Sequence, residues 1–190
     1  MPSKNEIGRI IKDCLDSGST IEMDGLGTLI PKLDGQFEFL AENRPKVFLA
    51  YVEEDLLKVR KLADELQALG FNPWMDKQKL LPGQNWPRSI QLAIEVSDFF
   101  VPCFSQRSTY KRGTFQCELR YALDCAAEVP LDETFIVPVR LQACEVPKRI
   151  SDHLQYVDLY PDWQRGLKRV VTSMRKQVKI SESRRRLLAG

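Results

Sequence analysis

Few residues of this sequence have a type and setting that could support chemistry, and Glu118 is one of them. It borders the apolar stripe of a predicted helix, between Phe115 and Ala122, where the plainest interpretation is a solvated glutamate that pairs with a basic neighbour. His153 is the only histidine and lacks a nucleophile and carboxylate at suitable spacing, so a hydrolytic triad is not expected. The sequence contains neither G-x-G-x-x-G nor a Walker lysine motif, which argues against dehydrogenase and ATPase chemistry.

The cysteines offer no alternative chemistry. They are odd in number and form no C-x-x-C pair, so we expect neither a disulfide framework nor a zinc site, and no metal site of another kind is predicted. Cys117 adjoins Glu118 but points about 100° away from it on a helix, so we interpret it as a packing residue. The five cysteines, all expected to be reduced, are Cys14, Cys103, Cys117, Cys125 and Cys144.

Composition is that of an ordinary globular protein. The 190 residues, 43% hydrophobic and 28% charged, allow one full-sized core and a small appendage. The formal net charge of +2 is too small to attract the whole protein to nucleic acid or to an anionic membrane, so any polyanion site must be local. No apolar run approaches the roughly 18 residues of a membrane span, and the N-terminus lacks the apolar core of a signal peptide, so a cytoplasmic location is expected.

The first 43 residues are predicted to form a small α+β module. Apolar spacing indicates a helix over residues 5–16, and strands are predicted at residues 20–23, 27–32 and 36–40 between Asp-Gly turns. So short a segment cannot bury much core alone, and we expect it to pack on its neighbour or on a copy of itself.

A larger α/β unit is predicted from residue 44 to residue 177, followed by a basic tail over residues 178–190. Short apolar runs alternate with helical stripes, which is typical of a parallel sheet flanked by helices, here five strands in flavodoxin-like order. Pro102 falls within one strand and lacks a ladder donor, so a bulge is expected beside it. The strands are predicted at residues 47–51, 71–74, 98–104, 134–139 and 156–159.

Several segments of this unit resemble, in order and in spacing, motifs of the TIR domain family. Residues 46–55, KVFLAYVEED, are similar to the opening strand and acidic loop of TIR domains. Residues 80–86, LLPGQNW, resemble the loop after the second strand in the bacterial subgroup, and residues 118–123, ELRYAL, match the helix bearing the family's glutamate. The other matching segments are residues 70–76, 97–100, 104–105 and 135–141.

This resemblance implies an activity. Many bacterial TIR domains cleave the nicotinamide–ribose bond of NAD⁺, with oligomers of the domain completing the active site, in antiphage defence or signalling. NAD⁺ would be the substrate and Glu118 the catalytic carboxylate, with ADP-ribose or a cyclic ADP-ribose as product and no separate cofactor. The alternative is a non-catalytic adaptor acting through TIR–TIR contacts, which is favoured by Ala50, where many relatives have serine, and by the unusual pair Thr114 and Phe115.

The resemblance also implies a set of substrate-binding residues around Glu118. Tyr51 is equally consistent with a packing role, and the tryptophans either offer flat surfaces to nicotinamide or adenine or belong to the core. Arg140, at the end of the fourth strand, is a candidate phosphate partner. Asp76 either orients a ribose hydroxyl or serves as a turn residue, which is common for an aspartate after a strand. The implied set is Ala50, Tyr51, Trp74, Asp76, Leu81, Trp86, Ser105 and Phe115.

The N-terminal module resembles a different family. Residues 21–29, IEMDGLGTL, are similar to the strand region of HU-type DNA-bending proteins, but the long basic arms and final helix of that family are missing, so direct DNA bending is not expected. Self-association, or recognition of a partner that activates the TIR domain, is the simpler role. A third hypothesis is nucleic-acid binding through this module and the basic tail. A steep salt dependence of binding would support it, whereas the near-neutral net charge opposes it.

Overall fold

The chain divides into two compact units, Met1–Arg44 and Pro45–Gly190. A few side chains within the elements, including that of Trp86, are not described. No described helix is both long and apolar enough to cross a membrane. The computed structural model describes residues 11–15, 17–23, 27–32, 36–41, 44–75, 86–130 and 132–189.

The first unit contains a helix and an antiparallel meander, as its sequence predicts. Residues 11–15 are helical (α1) and are followed by β1 (Ile21–Met23), β2 (Gly27–Pro31) and β3 (Phe37–Ala41). The strands lie in the order β1-β2-β3, and both pairs are antiparallel. Each observed strand begins and ends within one residue of its predicted bounds.

The second unit alternates strands and helices, and its sheet confirms the predicted α/β fold. Its five strands pair in parallel in the order β5-β4-β6-β7-β8, which is flavodoxin-like. A 3₁₀ helix at Glu53–Asp55 follows the first strand. The other elements are β4 (Lys46–Ala50), α2 (Leu56–Ala68), β5 (Asn72–Trp74), α3 (Trp86–Glu95), β6 (Phe99–Phe104), α4 (Gln106–Tyr110), α5 (Thr114–Glu128), β7 (Val139–Arg140), α6 (Lys148–Ser151), β8 (Val157–Asp158) and α7 (Trp163–Ala189).

The core lies on both faces of the central strands. In β4, Val47 and Leu49 pack in one cluster with α2 and α7, while Phe48 and Ala50 pack in the other with α3 and α5. All six residues of β6 are buried. This burial on both faces explains why the two strands are almost continuous apolar runs rather than alternating ones.

The ladder between β6 and the following segment is interrupted at Pro102. The Phe100 N–H donates to the Phe135 carbonyl and the Leu141 N–H donates to the Phe104 carbonyl, both at 2.8 Å. Pro102 lies between these two points and has no N–H to donate. The predicted fourth strand of the unit is therefore reduced to an isolated bridge and the two residues of β7.

The prediction of a separate basic tail over residues 178–190 was wrong, because α7 continues to Ala189. Side-chain contacts hold the second half of this helix to the segment before β7. Gln177 accepts a hydrogen bond from the Thr134 N–H at 3.0 Å. Arg184 forms ion pairs with Asp132 and, at 2.7 Å, with Glu133.

A buried hydrogen bond ties together the loops that follow β4 and β6. The Ser105 hydroxyl donates to the Asp55 carboxylate at 2.5 Å, and both side chains are buried. The same hydroxyl accepts from the Ser108 N–H at 3.2 Å and so caps α4. At the surface, Lys111, which follows α4, and Glu54 form an ion pair at 2.7 Å.

We predict that Gly166→Ala destabilises the protein although alanine favours helices. A Cβ at this position of α7 would lie 2.3 Å from the Asp158 carbonyl oxygen and 2.9 Å from the Leu159 Cα, so we expect a loss of about 1–3 kcal/mol. Ser173→Ala, on the exposed side of the same helix, is the control and should leave stability unchanged or slightly raised. Urea unfolding followed by circular dichroism measures both, and an unchanged midpoint for Gly166→Ala would contradict this packing.

A double-mutant cycle tests the bond between Ser105 and Asp55. Each single alanine variant should cost about 1–3 kcal/mol, because it leaves a buried polar partner unsatisfied. The double variant should cost less than the sum, with a coupling of about 0.5–3 kcal/mol in the same urea assay. Asp64→Ala removes an exposed carboxylate of α2 and is the control. Its effect on the free energy of unfolding should simply add to that of Ser105→Ala, with no coupling between the two. Additive losses in the Asp55 cycle would show that the bond does not stabilise the fold.

Candidate functional site

Helix α5 brings Glu118 into the interior of the second unit. The helix starts after Gly113, whose φ of 142° suits glycine, and the stripe of Phe115, Leu119 and Ala122 predicted from the sequence is buried. Glu118 lies on the same side as this stripe and its side chain is only 2% exposed. The sequence placed it at the border of the stripe, whereas the structure buries it fully.

The helix that carries this carboxylate packs into an apolar and aromatic cluster. Helix α5 packs against β4, and Ala50 at the end of that strand belongs to the same buried cluster as Phe115. The rings of Phe104 and Phe115 meet edge to face with centroids 5.8 Å apart. Because Phe104 is the last residue of β6, the first turn of α5 lies at the carboxyl end of the sheet. Glu118 follows about one helical turn later.

Trp74 lies on the same face of the sheet, at the end of β5. Its ring stacks on Phe48 with centroids 4.7 Å apart, and it packs against the cluster that contains Ala50 and Phe115. The structure therefore gathers three of the predicted substrate-binding residues on the face of the sheet that carries Glu118. Their roles in binding remain predictions.

Two other predicted residues do not join this group. Tyr51 belongs to the cluster on the opposite face, and its hydroxyl donates to the Met75 carbonyl at 2.9 Å, an arrangement that links the ends of β4 and β5. The Ser105 hydroxyl donates to Asp55 and accepts from the Ser108 N–H. These contacts of both residues are structural, and binding of a ligand by either stays a prediction.

Three predicted positions cannot be placed relative to Glu118. Asp76 and Leu81 lie outside the described residues, and Trp86 is described only as the first backbone position of α3. Their roles stay predictions that follow from the family resemblance.

Arg140, the candidate phosphate partner, is occupied within the protein. Its Nε and Nη2 donate to the two oxygens of Asp158 at 2.6 and 2.9 Å, and Nη1 donates to the Cys144 carbonyl at 2.8 Å. The guanidinium also lies over the rings of Tyr156 and Tyr160, 4.5 and 5.5 Å from their centroids. The hydrogen bonds with Asp158 raise the pKa of Arg140. This arginine fastens the ends of β7 and β8 together and has little capacity left for a phosphate.

The sequence analysis missed Asp55, a second buried carboxylate. Its side chain is 7% exposed, and together with burial it raises the pKa of the Cys103 thiol, burial being the larger cause. Nothing in a single sequence distinguishes Asp55 from its neighbours Glu53 and Glu54, because its partner Ser105 is 50 residues away. Among the described residues, no group of three or more His, Cys, Asp or Glu side chains could hold a metal ion.

Comparison with known proteins identifies relatives of the second unit. The TIR domain family matches residues 47–171. A Sinorhizobium fredii protein, y4cD, is 28% identical over 116 residues, which are 61% of this chain and 18% of that protein. The match therefore spans less than a fifth of that relative's length.

Solved structures with a similar fold include TIR domains and a SEFIR domain. The TIR domain of the Toll-related receptor TRR-2 from Hydra magnipapillata has a TM-score of 0.51 and 24% identity, with 65% of this chain and 94% of that chain covered. The TIR domains of the activated Roq1 resistosome give 0.51 and 19%, covering 70% and 99%. A prokaryotic SEFIR domain gives 0.52 and 15%, covering 68% and 98%.

At these identities the structural similarities establish the fold alone. The HU-like resemblance predicted for residues 21–29 is not supported by the comparisons. The family match, by contrast, covers well over half of the 190 residues and coincides with a parallel five-stranded sheet flanked by helices. The chain belongs to the TIR domain family.

Proposed function

We propose that the TIR unit cleaves the nicotinamide–ribose bond of NAD⁺, with Glu118 as the catalytic carboxylate. The observation that carries this proposal is the burial of Glu118, 2% exposed, on a helix that packs against a parallel sheet close to the sheet's carboxyl end. Ligands of open α/β sheets bind at that end. Water as the attacking group gives ADP-ribose, and a nucleophile within the same nucleotide gives a cyclic ADP-ribose.

The chemistry requires stabilisation of positive charge more than it requires proton transfer. When the bond breaks, nicotinamide leaves with the bonding electron pair as a neutral ring, and the ribose carbon acquires oxocarbenium character. A carboxylate in a site of low polarity interacts with such a charge more strongly than one in water. A single carboxylate therefore suffices, whereas most glycosidases need a second one to protonate their leaving group.

The charge of the substrate is complementary to that of Glu118. Opposite charges attract each other more strongly in a site of low polarity than in water. The nicotinamide ring of NAD⁺ carries a positive charge, so it suits this environment. Trp74, half-buried on the same face of the sheet, would offer an aromatic surface to the nicotinamide or adenine ring.

An adaptor that acts only through TIR–TIR contacts is the second candidate. Ala50, which is fully buried beside the site, favours it, because this residue supplies no hydroxyl where many relatives have serine. Under either function we expect assembly of the domain, with the small first unit mediating self-association or recognition of an activating partner. We place this activity in bacterial defence or signalling in the cytoplasm.

We predict that purified protein at high concentration releases nicotinamide from NAD⁺ and that Glu118→Gln abolishes the release. Glutamine keeps the shape of the side chain but removes the charge, so the rate should fall at least about a hundredfold, as when one stabilising electrostatic group is removed. Chromatography measures nicotinamide, ADP-ribose and cyclic products. The control is Glu128→Gln, an exposed carboxylate of the same helix, which should keep the rate of the unmodified protein.

The outcomes separate the two functions. Equal release by Glu118→Gln and the unmodified protein would exclude Glu118 as the catalytic carboxylate. If the unmodified protein releases no nicotinamide at any concentration, with or without a crowding agent, yet assembles through its TIR unit in sedimentation experiments, the adaptor function is favoured. Thermal unfolding of the Glu118 variant must match that of the unmodified protein for either comparison to count.

A further inference from the structure

Basic charge is concentrated in the last helix. Of the 28 Lys and Arg residues nine lie in α7, and of the 26 Asp and Glu residues only one does. The helix therefore carries a formal charge of +8, while the rest of the chain, with 19 basic and 25 acidic residues, carries −6. The net charge of +2, which argued against a polyanion partner, is the sum of these two opposite contributions.

Six of these basic residues form one exposed face of α7, here named the basic face. At 100° per residue they fall within an arc of about 120°, and at 1.5 Å per residue the row is about 21 Å long. Between the first and the last of these residues, Thr172 is the only other residue that falls within the arc, and it is uncharged. The basic face consists of Arg165, Lys168, Arg169, Arg175, Lys176 and Lys179, all exposed.

The charges of the basic face are not neutralised by the part of the chain that the structure describes. None of the six residues forms an ion pair with a described carboxylate, and Arg175 donates to the Leu69 carbonyl oxygen at 3.0 Å. Arg184, on another side of the helix, shows the contrast because Asp132 and Glu133 neutralise it. Like charges spaced three or four residues apart destabilise a helix, so the fold itself does not call for this pattern.

We propose that the basic face binds the phosphate backbone of double-stranded DNA without regard to base sequence. A duplex carries one negative charge per about 1.7 Å of axis, so a rigid row about 21 Å long faces roughly twelve charges. Lysine and arginine contacts with phosphates hold a protein on the duplex but carry no sequence information.

The structure argues against a membrane surface as the partner. Helices that lie in a membrane interface insert an apolar face between the lipids. The apolar side of α7, formed by Leu167, Val170, Val171 and Met174, is buried against the sheet, so this helix has no apolar face free to insert. The same packing places the basic face on the opposite side of the sheet from Glu118, and duplex binding is therefore separate from the proposed NAD⁺ cleavage.

Fluorescence anisotropy of the full chain with labelled duplexes of about 25 base pairs, in two unrelated sequences and between about 50 and 200 mM salt, tests this proposal. We expect both sequences to bind equally, with affinity falling steeply as salt rises. The triple variant Lys168→Gln, Lys176→Gln and Lys179→Gln should lower the slope of log affinity against log salt by about 0.9 for each phosphate that the protein no longer neutralises.

The matched control removes the same charge elsewhere. Arg120→Gln, Lys148→Gln and Arg149→Gln change exposed residues of α5 and α6, and this triple variant should keep the salt slope of the unmodified protein. Equal reductions of the slope in the two triple variants would overturn the proposal, since net charge alone would then explain binding. It would also be overturned if the duplex does not bind at about 50 mM salt, if a single strand binds as tightly, or if phosphatidylserine vesicles bind while the duplex does not.

Discussion

Burial of β4 and β6 on both faces is the constraint on which the rest of this TIR unit depends. Apart from Pro102, every side chain in the middle of these strands belongs to one of two apolar clusters, so polar groups can stand only where the strands begin or end. Asp55 and Ser105 follow β4 and β6, and Arg140 and Asp158 end β7 and β8. These four polar residues lie at the carboxyl end of the sheet, and Glu118 reaches the interior because a helix carries it there.

The two buried carboxylates of the unit illustrate two uses of one functional group. Asp55 accepts a short hydrogen bond from Ser105, and the pair joins the loops that follow the two central strands. Glu118 is buried on α5, which packs on the face of the sheet that carries Phe48 and Ala50. Asp55 is thus part of the architecture, whereas Glu118 is the carboxylate that we propose stabilises positive charge in the cleavage of NAD⁺.

Charge in this protein acts locally, and its total is a poor guide to its partners. Screening limits the reach of exposed charges to about 8 Å at physiological salt, which is shorter than the basic face of α7. The acidic remainder of the chain therefore cancels the net charge without cancelling the potential at that face. The sheet also separates this face from Glu118, so the proposed binding of a duplex and the proposed cleavage of NAD⁺ need not compete.

The sequence by itself determined the class of fold, the order of the elements and the helix that carries Glu118. These features are visible in the sequence because they are local patterns. A strand that is buried on both faces is a run of apolar residues, and a helix that is buried on one face carries an apolar stripe. Only the tertiary structure decided that Glu118 is buried, that Asp55 pairs with Ser105 and that Arg140 is taken up by Asp158. Those contacts join residues 18 or 50 positions apart, and such pairs arise only when the strands become neighbours. The extension of α7 to Ala189 has the same cause, since distant residues hold a segment whose own composition resembles a solvated tail.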